Sequence, residues 1–130
     1  MVRAMARRPI PHVHCIAAGP APENSTAEIR RIAPSHLIII DAADMEAAPG
    51  TTRLIDPSEA GGASFATHGL PLGVLARYLC TEVGCGVLLI GIQPQRLEFG
   101  ESLSRKVSRA VEELHDALRE CLDPRTGNGP

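Results

Sequence analysis

Asp41 stands at the end of the unbroken apolar run Leu37, Ile38, Ile39, Ile40, and Asp44 follows three residues later. A carboxylate at the carboxyl end of a buried strand faces a cleft, where it can bind a metal or act as a base. Asp is also a common helix or turn cap, and position alone leaves both roles open. His68 lies in Ala66-Thr67-His68-Gly69-Leu70-Pro71-Leu72, just ahead of a helical pattern. An imidazole beside a carboxylate is a donor pair suited to nickel or zinc; a His that caps that helix, or sits on its exposed first turn, is the plainer alternative. His12 and His14 would share one face of a strand, a spacing that binds metal in some proteins and holds nothing in many edge strands. Glu23 either supports a site through hydrogen bonds or simply opens a helix. His36 and His115 are expected at the surface. The chain contains no GxSxG, HExxH, P-loop or GxGxxG sequence, so nucleophile triads and nucleotide cradles have no support and no catalytic side chain is singled out.

The elements that must position these groups alternate in period. Residues 13–17 suggest a short strand, followed by the turn-rich Gly19-Pro20-Ala21-Pro22. Ser25 and Glu28 have capping-box spacing at the start of a short helix carrying Ile29 and Ile32, which Pro34 stops. The apolar run 37–40 predicts a strand buried on both faces, ending at Asp41. Pro49-Gly50 marks a turn, and residues 51–55 an antiparallel strand. Residues 57–67, with Gly61-Gly62, read as a loop. Residues 72–83 are helical, with Leu72, Leu75, Ala76 and Leu79 on one face, and 87–92 form a second buried strand. From 102 to 122, Leu103, Val107, Ala110, Val111, Leu114, Leu118 and Leu122 make an apolar stripe opposite Arg105, Lys106, Arg109, Glu112, Glu113 and Arg119. Apolar strands alternating with amphipathic helices predict a three-layer α/β fold, a twisted and mostly parallel sheet with helices on both faces. Ligands of such sheets sit beyond the carboxyl ends of the strands.

Composition bounds the rest. The chain has 130 residues, 44% hydrophobic and 22% charged, enough for one domain that buries roughly two-thirds of its unfolded surface. Only Phe65, Tyr78 and Phe99 are aromatic, so the core must be aliphatic. A net charge of −2 with dispersed basic residues excludes a nucleic-acid footprint. No segment approaches the ~20 apolar residues of a membrane span, and the Arg-bearing first eight residues lead into no apolar run of the signal-peptide kind. Cys15, Cys80, Cys85 and Cys121 show no CxxC spacing and are expected to be reduced thiols in a cytoplasmic, soluble protein.

Five segments in order resemble one family: Gly19-Pro20-Ala21-Pro22-Glu23-Asn24, Ile38-Ile39-Ile40-Asp41-Ala42-Ala43-Asp44-Met45, Pro49-Gly50 with Arg53-Leu54-Ile55-Asp56, Thr67-His68-Gly69-Leu70-Pro71-Leu72, and Gly91-Ile92-Gln93-Pro94. They look like the nickel–iron hydrogenase maturation proteases, especially the branch that processes the formate-hydrogenlyase type of large subunit. The resemblance runs from about His12 to Leu122. It implies an endopeptidase that removes a C-terminal extension from the hydrogenase large-subunit precursor after nickel insertion. It also implies that the nickel, carried by the precursor, is recognised by Asp41 and His68 as metal ligands; Glu23 and Asp44, read from the residues alone, are the supporting candidates beside them.

The same resemblance exposes two departures. The family opens with a strand ending in Gly-Asn and an acidic-glycine loop that supplies a third carboxylate; nothing here corresponds to it. Residues 1–8 look like the end of the helix that follows that loop, so the sheet is expected to lack its first, central strand. Ala17 stands where the family usually has Asp. The expected organisation is therefore one hydrogenase-maturation-protease-like domain over residues 1–122, with 1–8 the remnant of its first helix, and a flexible tail over 123–130. Two other readings stand beside the protease: a truncated or degenerate, non-catalytic relative that binds the precursor or a metal, and a flavodoxin-like small-molecule-binding domain.

Overall fold

The computed structural model describes residues 1–19, 21–56, 64–65, 71–95 and 103–125, with backbone alone at 64–65. The elements are α1 (Val2–Arg7), a 3-10 turn (Pro22–Ser25), α2 (Thr26–Ile32), β1 (His36–Asp44), β2 (Thr52–Ile55), β3 (Ser64–Phe65), α3 (Leu72–Glu82), β4 (Gly86–Ile92) and α4 (Arg105–Leu122). The four strands form one sheet in the order β2-β4-β1-β3. The two apolar runs pair in parallel, from His36 with Gly86 to Ala42 with Ile92. β2 is antiparallel to β4, and β3 pairs antiparallel with Ala43 and Asp44. The sheet is thus mixed, with the expected parallel pair at its centre.

Strand alternation divides the aliphatic side chains between two helical layers. On one face Leu37, Ile39, Val87 and Leu89 pack with Ile29 of α2 and Leu72, Leu75 and Leu79 of α3. On the other, Ile40 and Ile92 meet Val107, Ala110, Val111 and Leu114 of α4. α1 lies against α4. This is the three-layer α/β arrangement the patterning predicts. Arg30 of α2 donates to the Tyr78 hydroxyl of α3, and its guanidinium stands 5.4 Å from the ring centroid, tying the two helices of that layer.

Several local expectations are corrected. Residues 13–17 form no strand, because no ladder partner lies beside them among the described residues. The Ser25–Glu28 capping box is not made: Ser25 closes the 3-10 turn without a side-chain cap, and Thr26 Oγ1 donates to the Glu23 carbonyl at 3.1 Å. β1 does not stop at Asp41 but runs three residues further, because β3 offers Ala43 and Asp44 a second edge. Residues 57–67, apart from the β3 pair 64–65, lie outside the described residues. α4 begins at Ser104, whose Oγ accepts from the Val107 N–H at 3.3 Å.

His115, expected at the surface, is fully buried. Its Nε2 lies 2.9 Å from the Arg8 carbonyl, so that nitrogen donates there and pins the end of α1 to α4. Arg7 and Arg8 reach Glu112, and Arg8 also Asp116, over the same joint. Those pairs are exposed enough to add little. The apolar stripe alone could not show this, because His115 falls at its margin and only the approach of α1 covers it.

The chain beyond α4 does not fray at Asp123. That residue is buried and accepts from the Arg125 backbone N–H at 2.9 Å and from its guanidinium at 3.0 and 2.9 Å. Hydrogen bonds from the Arg125 side chain and backbone hold the Asp123 carboxyl well below the usual range, at about 2. A depressed folded-state value means stability that is present above the unfolded value and lost as pH falls through the folded one. The difference in melting temperature between the wild type and Asp123→Asn is therefore expected to be constant above about pH 4 and to vanish towards pH 2. Thermal melts of both proteins across that range check it. Residues 126–130, the rest of the expected tail, are outside the described residues.

Gly50 closes the Pro49-Gly50 turn at φ +87°, and a Cβ there would lie 2.8 Å from the backbone oxygen of Lys106. Its N–H donates to the Gln93 carbonyl at 2.8 Å, so the turn cannot move away without breaking that bond. Gly50→Ala combines left-handed strain with a backbone clash, and is expected to cost about 2 kcal/mol in urea unfolding.

Candidate functional site

The carboxyl end of the parallel pair is where the sheet can present chemistry. Asp41 sits there in register with Gly91. A Cβ on Gly91 would meet Ile55 Cδ1 at 2.8 Å, Ala43 Cβ at 3.0 Å and Met45 Sδ at 3.1 Å. Only glycine lets those three side chains close over the strand beside Asp41. The Asp41 carboxylate is half-buried; Oδ1 accepts from the Ala42 N–H at 2.9 Å and Oδ2 is buried. It borders a groove of about 410 Å³ whose walls include Ala17, Ala18, Pro22, Ser25 and residues of α3.

Glu23 stands between two of those wall residues without lining the groove itself. Its Oε2 is buried and has no hydrogen-bond partner among the described residues. Asp44 is on the other face of β1 by strand alternation, so the structure does not bring it beside Asp41. Its Oδ1 accepts from the Glu46 N–H at 3.1 Å and from Gln93 Nε2 at 3.3 Å. That is the turn-capping role that position alone left open. His68 lies outside the described residues. His12 occupies a turn at φ +64°, and it and His14 are exposed on irregular chain rather than paired on a strand. No group of three or more His, Cys, Asp or Glu among the described residues is placed to hold a metal. All four cysteines are free thiols, Cys85 buried and the others exposed.

Gln93 is the organising residue that motif reading passed over. It is buried, and its Oε1 accepts from Met45 N at 2.6 Å and more weakly from Ala47 N at 3.4 Å. Its backbone N–H donates to the Thr51 carbonyl at 2.8 Å. One residue, through its side-chain amide and its backbone, thus ties together the end of β1, the turn to β2 and the end of β4. The signal that could have found it is a polar residue directly after a buried strand and before a proline.

The fold and this geometry define an α/β protein with a carboxylate presented at the end of its central parallel pair. Comparison with known proteins supplies the class. Residues 1–120 match the family model HycI, hydrogenase maturation protease. The chain is 38% identical over 104 residues to the hydrogenase 3 maturation protease of Escherichia coli K12, covering 79% of this chain and 66% of that protein. It superimposes on a crystal structure of the hydrogenase 3 maturation protease with a TM-score of 0.81 at 34% identity, covering 98% of this chain and 79% of the other. On a nickel–iron hydrogenase maturation protease from Thermococcus kodakarensis the TM-score is 0.79 at 28% identity, covering 93% and 78%.

This chain belongs to the hydrogenase maturation protease family. It spans about two thirds of the length of the curated relatives it matches. Membership sets aside the flavodoxin-like small-molecule-binding reading. No helix among the described residues is long and apolar enough to cross a membrane.

Proposed function

We propose that this protein is a hydrogenase maturation endopeptidase that removes the C-terminal extension of a nickel–iron hydrogenase large-subunit precursor after nickel insertion. The observation that carries this reading is Asp41, a half-buried carboxylate at the carboxyl end of the central strand pair, in a chain of this family. Nickel belongs to the substrate and arrives with it. Asp41 supplies a hard oxygen donor, and His68 an imidazole, for recognising that ion. Nickel so held can polarise a neighbouring scissile carbonyl as a Lewis acid. Glu23, with its buried oxygen, supports the site from the 3-10 turn, and Asp44 supports it through the strand end it caps. Residues 1–122 form the working domain, and the cytoplasm, where the precursor is assembled, is its compartment.

The test is to incubate the protein with nickel-loaded and nickel-free precursor and follow the mass of the large subunit. Cleavage of the loaded form alone is expected, and His68→Ala should abolish it. Equal cleavage of both forms would overturn nickel recognition, and unchanged cleavage by His68→Ala would remove that residue from the site. Ala17 favours a second reading, since an exposed methyl group on the groove wall cannot replace the carboxylate that the resemblance implies there. Binding of the loaded precursor without any cleavage would establish that non-catalytic role instead.

A further inference from the structure

Arg53 is the only lysine or arginine in the four strands. It is in register with Gly91 on one side of β4, and Asp41 is in register with the same glycine on the other. Residues directly opposite one another in a ladder share a face. The guanidinium and the carboxylate therefore rise from one face of the sheet, two strand spacings or roughly 10 Å apart at the backbone. Side-chain contacts agree. Ile55, two residues after Arg53, and Ala43, two after Asp41, both close on the place a Gly91 Cβ would take, at 2.8 and 3.0 Å. With Met45 Sδ at 3.1 Å they make an apolar floor between the two charges.

Arg53 is exposed, and no ion pair joins it to a carboxylate among the described residues. Its Nη1 donates one long bond, 3.4 Å, to the Met45 carbonyl, so the side chain leans from β2 towards the end of β1. A charge on an edge strand can serve simply to keep other chains from pairing there. That role sets no requirement on the face or on what stands opposite. The place across a glycine from Asp41 fits a second role, because a guanidinium fork matches anionic oxygens. We propose, on the proteolytic reading above, that Arg53 binds an anionic oxygen of the precursor beside the nickel that Asp41 holds. Two oxygens of the substrate have that chemistry. One belongs to a carboxylate side chain near the cut. The other is the scissile carbonyl oxygen, which takes up negative charge as water adds to its carbon. In that reaction a C–O bond forms, and the C–N bond breaks with its electron pair going to nitrogen. Both protons of the water end on that nitrogen, leaving a carboxylate and an ammonium group. Arg53 stays protonated throughout and contributes only N–H donors.

The experiment measures kcat, KM and binding affinity for nickel-loaded precursor with the wild type, Arg53→Lys and Arg53→Gln, with melting temperature and sedimentation alongside. Arg53→Gln is expected to lower kcat/KM by roughly 100-fold at a melting temperature near wild type. Arg53→Lys should fall between the two, since it keeps the charge and loses the fork. A loss confined to kcat assigns the oxygen to the scissile carbonyl, and a loss confined to KM assigns it to a carboxylate side chain of the precursor. Either supports the proposal. Unchanged kcat and KM in Arg53→Gln overturn it, and self-association of that variant would then leave edge protection as the role of the charge. A wild type that binds the loaded precursor without cutting it sinks the proteolytic reading by itself, and affinity then decides. Binding about tenfold weaker in Arg53→Gln keeps Arg53 as the ligand of a precursor carboxylate; equal binding overturns the inference. A wild type that neither cuts nor binds overturns both.

Discussion

Asp41→Asn is expected to abolish processing of the nickel-loaded precursor while leaving the fold in place. Asparagine keeps the size of the side chain and an oxygen that can accept from the Ala42 N–H, now at 2.9 Å, so the backbone at the strand end keeps its local partner. What it loses is the negative charge and the strong donor oxygen that a divalent ion selects. Removing even an outer partner of a metal ligand costs roughly 10–100-fold in affinity or activity. Losing the ligand itself should therefore lower the cleavage rate by about 100-fold or more. Cleavage kinetics with loaded precursor, together with a thermal melt of the variant, separate the two effects. A melting temperature near wild type with cleavage unchanged would remove Asp41 from the site. Gly91 adds a structural constraint on the same spot: any larger residue would push on Ile55, Ala43 and Met45 beside Asp41.

The second large effect concerns stability. His115→Ala opens a cavity in a fully buried position and strips the Arg8 carbonyl of its partner 2.9 Å away. Cavity formation and an orphaned buried acceptor together are expected to cost about 3 kcal/mol. Against a typical total of roughly 5–15 kcal/mol, that is a large share. The loss should be local as well as global, because the same bond holds α1 to α4. Urea unfolding measures the total. Limited tryptic digestion after Arg3 and Arg7, the cleavable sites of α1 because Arg8 precedes Pro9, reports the release of α1 and should quicken in the variant before the rest of the chain is cut. Digestion at those sites at the wild-type rate would mean that the salt bridges to Glu112 and Asp116, not His115, hold the helix.

Sequence pattern by itself determined the layers of this protein. Two four-to-six-residue aliphatic runs and two amphipathic stripes predict strands at the centre and helices outside, since local periodicity fixes which face of each element must be buried. The parallel pairing of β1 with β4 and the helical bounds of α3 and α4 follow those patterns closely. Five motifs in order were enough to identify the family, and one of them, closing an apolar run, located Asp41 near the carboxyl end of the parallel pair. Tertiary contacts decided what periodicity does not carry. β1 continues past Asp41 only because β3 pairs with Ala43 and Asp44, and strand alternation then turns Asp44 away from Asp41. Residues 13–17 have the alternation of a strand but no neighbour to pair with, and a strand exists only as part of a ladder. His115 is buried where the Arg8 carbonyl at the end of α1, 107 residues earlier, meets it, and Gln93 organises the strand ends because Met45 and Ala47 place backbone N–H groups on its side-chain amide while Gly50 and Thr51 bond its backbone. In each case the deciding partner is remote along the chain, and the free energy that fixes the outcome lies in the contact rather than in either segment alone.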